Sequence, residues 1–190
     1  MLSNIQDLKH KYNIQNDTLQ YFLKRCPISL DINDGPWLAG GSILRWFNNE
    51  EEADYDIFFN DGEQLDKAET TMFNAGYNME DSSSYAYTYR HHSKEFTIQL
   101  CFKEFYNTPK EVIDSFDFKV CKWICANNMI LSYNKTIDHA QRKEIVIDKI
   151  QNAAYMLQRL FKYNKRGYTF DDSQIRYILH KVRTDKTIII

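Results

Sequence analysis

The sequence predicts an α+β fold: a mixed sheet of about five strands flanked by helices, with a C-terminal helical extension. Three observations carry that reading. Side chains alternate apolar and polar along Asp54–Phe59, through Tyr85, Tyr87 and Tyr89, and through Phe96, Ile98, Leu100 and Phe102, which is the period of a strand. Towards both ends of the chain apolar residues recur at helical spacing instead. Between the apolar run Trp37-Leu38-Ala39 and the next apolar segment lies Gly40-Gly41, a sharp turn from strand into helix. On this basis residues 1–148 are a core with N-terminal helices, and residues 149–190 are a helical extension packed on it.

Residues 4–26 predict two helices, one with Ile5, Leu8 and Tyr12 on its apolar face and one with Leu19, Phe22 and Leu23, capped by Asn16 or Asp17. Pro27 and the stretch Asp31–Pro36 form a loop. Trp37 opens the strand that leads through Gly40-Gly41 into a helix beginning at Ser42. Glu50, Glu51 and Glu52 form an acidic loop, solvated by default. After the strand Asp54–Phe59, residues 63–75 predict a helix with Leu65, Ala68 and Met72 inward and Gly76 as its stop. Two strands follow within 82–102, joined by a turn at His91–Lys94. Thr108-Pro109 opens a short helix through Asp114. Residues 129–133 and 144–147 read as strands with a helix or turn at 134–141 between them. Ile150, Ala154, Leu157 and Phe161 predict a helix over 148–163, Gly167 stops it, and a last helix spans 172–183. The tail ending Ile188-Ile189-Ile190 is apolar and needs cover.

With 190 residues, 43% hydrophobic and 26% charged, the chain has the composition of an ordinary globular protein. Its net charge of −2 excludes a generally basic nucleic-acid binder, so any such site is a local patch. The first ten residues contain neither a basic nor an apolar leader region, and no apolar run reaches the length of a membrane span, which predicts a cytoplasmic protein. Richness in Tyr, Phe, Lys and amides suits an A/T-rich genome, as in a phage or low-GC bacterium. Cys26, Cys101, Cys121 and Cys125 show no CxxC pairing and read as reduced, buried thiols.

One segment carries chemistry. Gly40 and Gly41 lack a Cβ, so a polyanion can approach the backbone closely, and the N–H groups of a helix starting at Ser42 favour phosphate. Asp54 and Asp56 project from one face of their strand, about 7 Å apart along it, and their carboxylates can converge on two Mg²⁺ ions about 4 Å apart. Tyr55, Ile57 and Phe59 point to the core. Arg45, one turn into the helix, supports a phosphate or pairs with the acidic run. Taken singly, Gly-Gly is a tight turn and Asp-x-Asp a solvated strand edge; one helix apart, the two form a triphosphate cradle beside a metal platform.

The succession Gly40-Gly41-Ser42, helix, Asp54-x-Asp56 resembles the signature of the nucleotidyltransferase superfamily that contains DNA polymerase beta, poly(A) polymerases and CCA-adding enzymes. The resemblance implies that Gly40, Gly41 and Ser42 hold the phosphates of an NTP and that Asp54 and Asp56 bind two catalytic Mg²⁺ ions. It implies transfer of a nucleoside monophosphate to an acceptor hydroxyl with release of pyrophosphate. The family's third carboxylate falls at Gln99, a neutral side chain that cannot act as a base. The run Phe116-Asp117-Phe118-Lys119-Val120-Cys121 resembles the Arg-Asp-Phe-Thr-Ile-Asn segment of CCA-adding enzymes, which implies that Asp117 contacts the nucleotide or its ribose, or supplies the missing acidic group. The alternative for Asp117 is the N-cap of a helix over 118–126.

The partners that follow are an NTP and, at the cationic C-terminal third, RNA or another acceptor. There Lys149, Arg159, Lys162, Lys165, Arg166, Arg176, His180, Lys181 and Arg183 accompany Tyr155, Tyr163, Tyr168 and Tyr177. A solvated amphipathic face is the plainer reading of that region. A non-catalytic relative that binds nucleotide, nucleic acid or a protein is the alternative to an enzyme, and Gln99 favours it.

Overall fold

Eight strands, rather than about five, form one mixed sheet in the computed structural model, which describes residues 1–51, 54–93 and 96–184. Glu52 of the acidic run, Lys94 of the hairpin turn and Ile188–Ile190 of the tail lie outside the described residues. The strands are β1 (Leu2–Asn4), β2 (Trp37–Ala39), β3 (Asp54–Phe58), β4 (Asn78–Ser82), β5 (Ala86–Arg90), β6 (Thr97–Cys101), β7 (Trp123–Ala126) and β8 (Met129–Ser132). Their order is β1-β8-β7-β2-β3-β6-β5-β4. Every neighbouring pair is antiparallel except β3 and β6.

The helices are α1 (Ile5–Tyr12), α2 (Thr18–Leu23), α3 (Gly41–Phe47), α4 (Gly62–Asn74), α5 (Pro109–Ser115), α6 (Asn134–Arg142), α7 (Ala153–Lys165) and α8 (Asp172–Thr184). Local chemistry sets their ends. Asp61 caps α4 by accepting from the Gln64 N–H at 2.8 Å, Leu65, Ala68 and Met72 are buried as the spacing predicts, and Gly76 leaves the helix at φ +79°. Thr108 caps α5 ahead of Pro109, and Asn152 caps α7 through the Tyr155 N–H.

The main core lies on one face of the sheet. Phe22 of α2 stacks on Tyr55 of β3 with ring centroids 3.7 Å apart, and Leu38, Ile57, Ile98 and Leu100 join them. Buried residues of α7 and α8, among them Met156, Leu160 and Ile178, belong to the same apolar cluster. The other face is covered over β2 and β7 by α5, where Trp37, Ala39 and Ile124 pack against Val112 and Ile113. Across β3 and β6 that face stays open, and Asp54, Asp56 and Gln99 lie on it.

Several expectations are corrected. The helix over 118–126 is instead a short 3₁₀ turn (Lys119–Cys121) followed by β7, whose four residues are all buried between β2 and β8. A continuous apolar run fits a doubly covered strand as well as a helix, and pairing decides between them. Asp117 is therefore not a helix N-cap. Residues 144–147 make isolated bridges only, Glu144 with Thr169 and Ile147 with Phe118. β1, within a segment read in part as helix, is defined by pairing with β8, and β4 is an exposed edge with no alternation to reveal it.

α7 starts at Ala153 rather than at 148 and buries Ala153, Met156, Leu160 and Tyr163, a face one residue away from the predicted one. Phe161 is consequently exposed. Cys121 and Cys125 are buried, whereas Cys26 and Cys101 are half-buried. No described helix is long and apolar enough to cross a membrane.

Candidate active site

The residues singled out in the sequence converge on the open face of the sheet. Parallel pairing sets Asp54 beside Thr97 and Asp56 beside Gln99, so Gln99 stands in register with the inner carboxylate. Gly41, Ser42 and Arg45 of α3 line one side of a cavity of about 430 Å³ whose floor holds Asp54, Asp56 and Gln99. Its opposite wall is α7, which contributes Arg159 and Lys162, with Arg166 just past the helix end. The sequence groups these three cations with a nucleic-acid surface; folding lines the cavity with them instead, and Arg159 and Lys162 act on the Asp56 carboxylate. Tyr163 and Tyr168, offered there for base stacking, are buried at 5% and 0% exposure, which removes them from that role.

The two glycines do different things. Gly40 has φ +86° and ψ −132°, its N–H donates to the Trp123 carbonyl at 3.0 Å, and a Cβ there would lie 2.8 Å from Phe116 Cε1. Its lack of a side chain is demanded by the fold. Gly41 is already helical, and a Cβ there would meet nothing nearer than the Tyr163 hydroxyl at 3.8 Å, so the fold leaves this position free. Ser42 is 3% exposed and its Oγ has no hydrogen-bond partner among the described residues, an arrangement that a ligand oxygen would complete.

Arg45 Nη1 donates to the Glu51 carbonyl at 2.9 Å; among the described residues it forms no ion pair with Glu50 or Glu51. Glu50 is not solvated either, because its side chain is 20% exposed and binds Lys143 at 3.0 Å and Arg166 at 2.6 Å. Asp117 faces an adjoining cavity of about 760 Å³, which shares Asp56, Gln99, Phe116, Tyr155 and Arg159 with the first. One oxygen of Asp117 accepts from Arg159, and the other is buried with no partner among the described residues.

The donor set fits Mg²⁺. Two aspartates on one strand face supply hard anionic oxygens, and substrate phosphates and water complete such a coordination shell. No group of three or more His, Cys, Asp or Glu residues suited to a metal occurs among the described residues, so a metal here rests on this pair and its substrate. Burial, and then the charge of Asp54, raise the Asp56 carboxyl to about 7 against the opposing pull of Arg159 and Lys162. A bound cation relieves both penalties.

This shift carries a stability prediction. A carboxyl raised on folding stabilises the native state fully below its unfolded value near 4, and that contribution is lost as pH rises through 7. Between pH 4 and 8 the metal-free protein is expected to lose on the order of 4 kcal/mol relative to Asp56→Asn. Thermal unfolding in EDTA measures the difference, and parallel pH profiles for the two proteins would contradict it.

The family model described as Gad2, Gabija anti-defense 2 family protein, matches residues 9–143. Similar solved structures include a complex of CCA-adding enzyme with ATP, at TM-score 0.65 and 10% identity, covering 96% of this chain and 46% of that one. The Thermotoga maritima CCA-adding enzyme complexed with tRNA aligns at TM-score 0.58 and 12% identity, covering 94% and 45%. A tRNA nucleotidyltransferase complexed with a primer tRNA and an incoming ATP analog aligns at 0.55 and 11%, covering 77% and 46%. The chain thus spans a little under half the length of these structures. No curated protein matches it by sequence. At such identities the similarity is one of fold, and the fold is nucleotidyltransferase-like.

Proposed function

We propose that this chain, which belongs to the Gabija anti-defense 2 family, is a Mg²⁺-dependent nucleotidyltransferase that moves a nucleoside monophosphate from an NTP to an acceptor hydroxyl. The observation that carries this reading is the convergence, around one cavity, of Asp54 and Asp56 with a Ser42 hydroxyl unpartnered among the described residues and the cations of α3 and α7. Opposition to Gabija, the role in the family's description, is the setting in which we place that chemistry.

In this reading Asp54 and Asp56 hold two Mg²⁺ ions, which when bound neutralise phosphate charge and steady the attacking and leaving oxygens. The Gly41-Ser42 turn and the Ser42 hydroxyl receive the triphosphate. Arg45, Lys162 and Arg166 surround it with positive charge in a partly enclosed cavity, where electrostatic stabilisation is stronger than in water. The acceptor oxygen attacks the α-phosphorus as its hydroxyl proton passes to solvent water, the bond to the bridging α–β oxygen breaks, and pyrophosphate leaves. Tyr155 and Phe116, shared by the two cavities, offer aromatic faces to a base. Asp117 acts on the nucleotide from the same side, alone or through Arg159. RNA is the first acceptor to try, brought in along the basic residues of α8.

Titration calorimetry of the four NTPs with and without Mg²⁺ is expected to show binding that needs the metal and that disappears in Asp54→Ala/Asp56→Ala. Absence of such binding in the wild type would end the reading. One observation favours a second reading, a nucleotide-binding protein without turnover: Gln99 in register with Asp56 leaves the inner carboxylate without an acidic neighbour on β6. Mg²⁺-dependent NTP binding with no pyrophosphate release across a panel of acceptors would select it.

A further inference from the structure

The cation at the far end of the cavity is held by a carboxylate that does not line it. Arg166, the residue that follows α7, donates to Glu50 Oε2 through Nε at 2.9 Å and through Nη2 at 2.6 Å. Its guanidinium lies 4.8 Å from the Tyr163 ring centroid and 5.3 Å from that of Tyr168. Tyr168 is itself tied by Asn48 Nδ2 at 2.7 Å. Arg166 is therefore gripped along one edge and flanked by two rings, while Nη1 has no acceptor among the described residues and Arg166 lines the cavity beside Ser42 and Arg45.

Glu50 is equally fixed. Its N–H donates to the Arg45 carbonyl at 2.9 Å, its own carbonyl accepts from Asn16 at 2.9 Å, and its second carboxylate oxygen is taken by Lys143 at 3.0 Å. Side-chain exposures of 20% for Glu50 and 17% for Arg166 keep water from screening the pair. A guanidinium with one edge neutralised and the other free is pre-oriented for a further anion at little cost in side-chain entropy.

We propose that Glu50 is a positioning residue that holds Arg166 against the triphosphate. This rests on the nucleotidyltransferase reading of the cavity. α3 thereby serves the cleft twice, through the Ser42 hydroxyl at its start and through the loop after its end, which reaches across to fix a cation on the opposite wall.

The test uses the Kd for Mg²⁺–ATP and for Mg²⁺–tripolyphosphate, measured calorimetrically alongside the unfolding temperature. Arg166→Ala and Glu50→Gln are each expected to weaken both ligands about tenfold, the scale of one well-placed charged hydrogen bond. The double variant is expected to be little weaker than either alone, because the two residues act as one unit. Arg166→Lys keeps the charge but loses the two-donor grip, and a loss close to that of Arg166→Ala is expected. Lys143→Met removes the other half of the Glu50 ion pairing and is expected to lower the unfolding temperature without weakening either ligand.

Wild-type affinity in Glu50→Gln or Arg166→Lys would overturn the proposal, as would additive losses in the double variant or a Lys143→Met protein that binds as poorly as Glu50→Gln. If the wild type binds in an Asp54- and Asp56-dependent way while these variants match it, only the positioning role fails. If the wild type itself shows no Mg²⁺-dependent binding, the reading of the cavity fails with it.

Discussion

Asp54→Ala and Asp56→Ala are each expected to lower nucleotidyl transfer at least about a thousandfold, roughly 4 kcal/mol of transition-state stabilisation, without loss of stability. Both side chains face the open side of the sheet and make no ion pair among the described residues, so the fold does not depend on their charge. For the inner residue the sign is opposite to that of a structural role. Burial and the Asp54 charge oppose ionisation of Asp56, so Asp56→Asn should be the more stable protein at pH 8 in the absence of metal. Added Mg²⁺ should stabilise the wild type and leave the variant unchanged. Pyrophosphate release and thermal unfolding on the same samples decide the matter. Activity and stability falling together would make these aspartates structural and remove the central support for catalysis.

The second large effect separates the adjacent glycines. Gly40→Ala is expected to destabilise the protein by about 3 kcal/mol or more, since a side chain at positive φ is strained and the added methyl meets the Phe116 ring at 2.8 Å. Gly41→Ala is expected to keep or slightly raise stability, because the residue is helical and its surroundings accept a Cβ. Its cost should appear in binding, about a tenfold weaker Kd for Mg²⁺–NTP, as the methyl occupies space a phosphate needs at the cavity wall. Chemical denaturation and calorimetry on both variants give four numbers. Equal destabilisation by both changes would mean that the turn serves the fold alone, and undisturbed NTP binding in Gly41→Ala would remove the triphosphate from this position.

Local pattern sufficed for much of this molecule. Gly40-Gly41 can only be a turn between Trp37–Ala39 and the helix that follows, alternation sets Asp54 and Asp56 on one face with Tyr55 and Ile57 on the other, and Leu65, Ala68 and Met72 mark the inner side of α4. These features depend on residues within one or two turns of each other, so the order of side chains determines them. Strand count did not yield in the same way. β4 is polar and exposed, β1 has three residues, and β7 reads equally as helix until β2 and β8 are placed on either side. A strand is defined by its neighbours across the sheet, which lie far away in sequence.

The same holds for the cleft. Position along the chain shows that Gln99 stands on a strand, but pairing of β3 with β6 is what sets it beside Asp56. Arg159 and Lys162 sit on a helix whose apolar spacing admits two faces one residue apart, and packing of Tyr163 against Phe118 and Cys121 selects the one that turns these cations inward, with Arg166 following at the helix end. By sequence Glu50 is a member of a solvated acidic loop, and its partners at 143 and 166 become visible only once the C-terminal helices close over the sheet. Helical and strand periods come from backbone geometry and are written in short stretches of sequence. Which charge meets which depends on a collapse that maximises buried apolar area across the whole chain, and no local stretch contains that information.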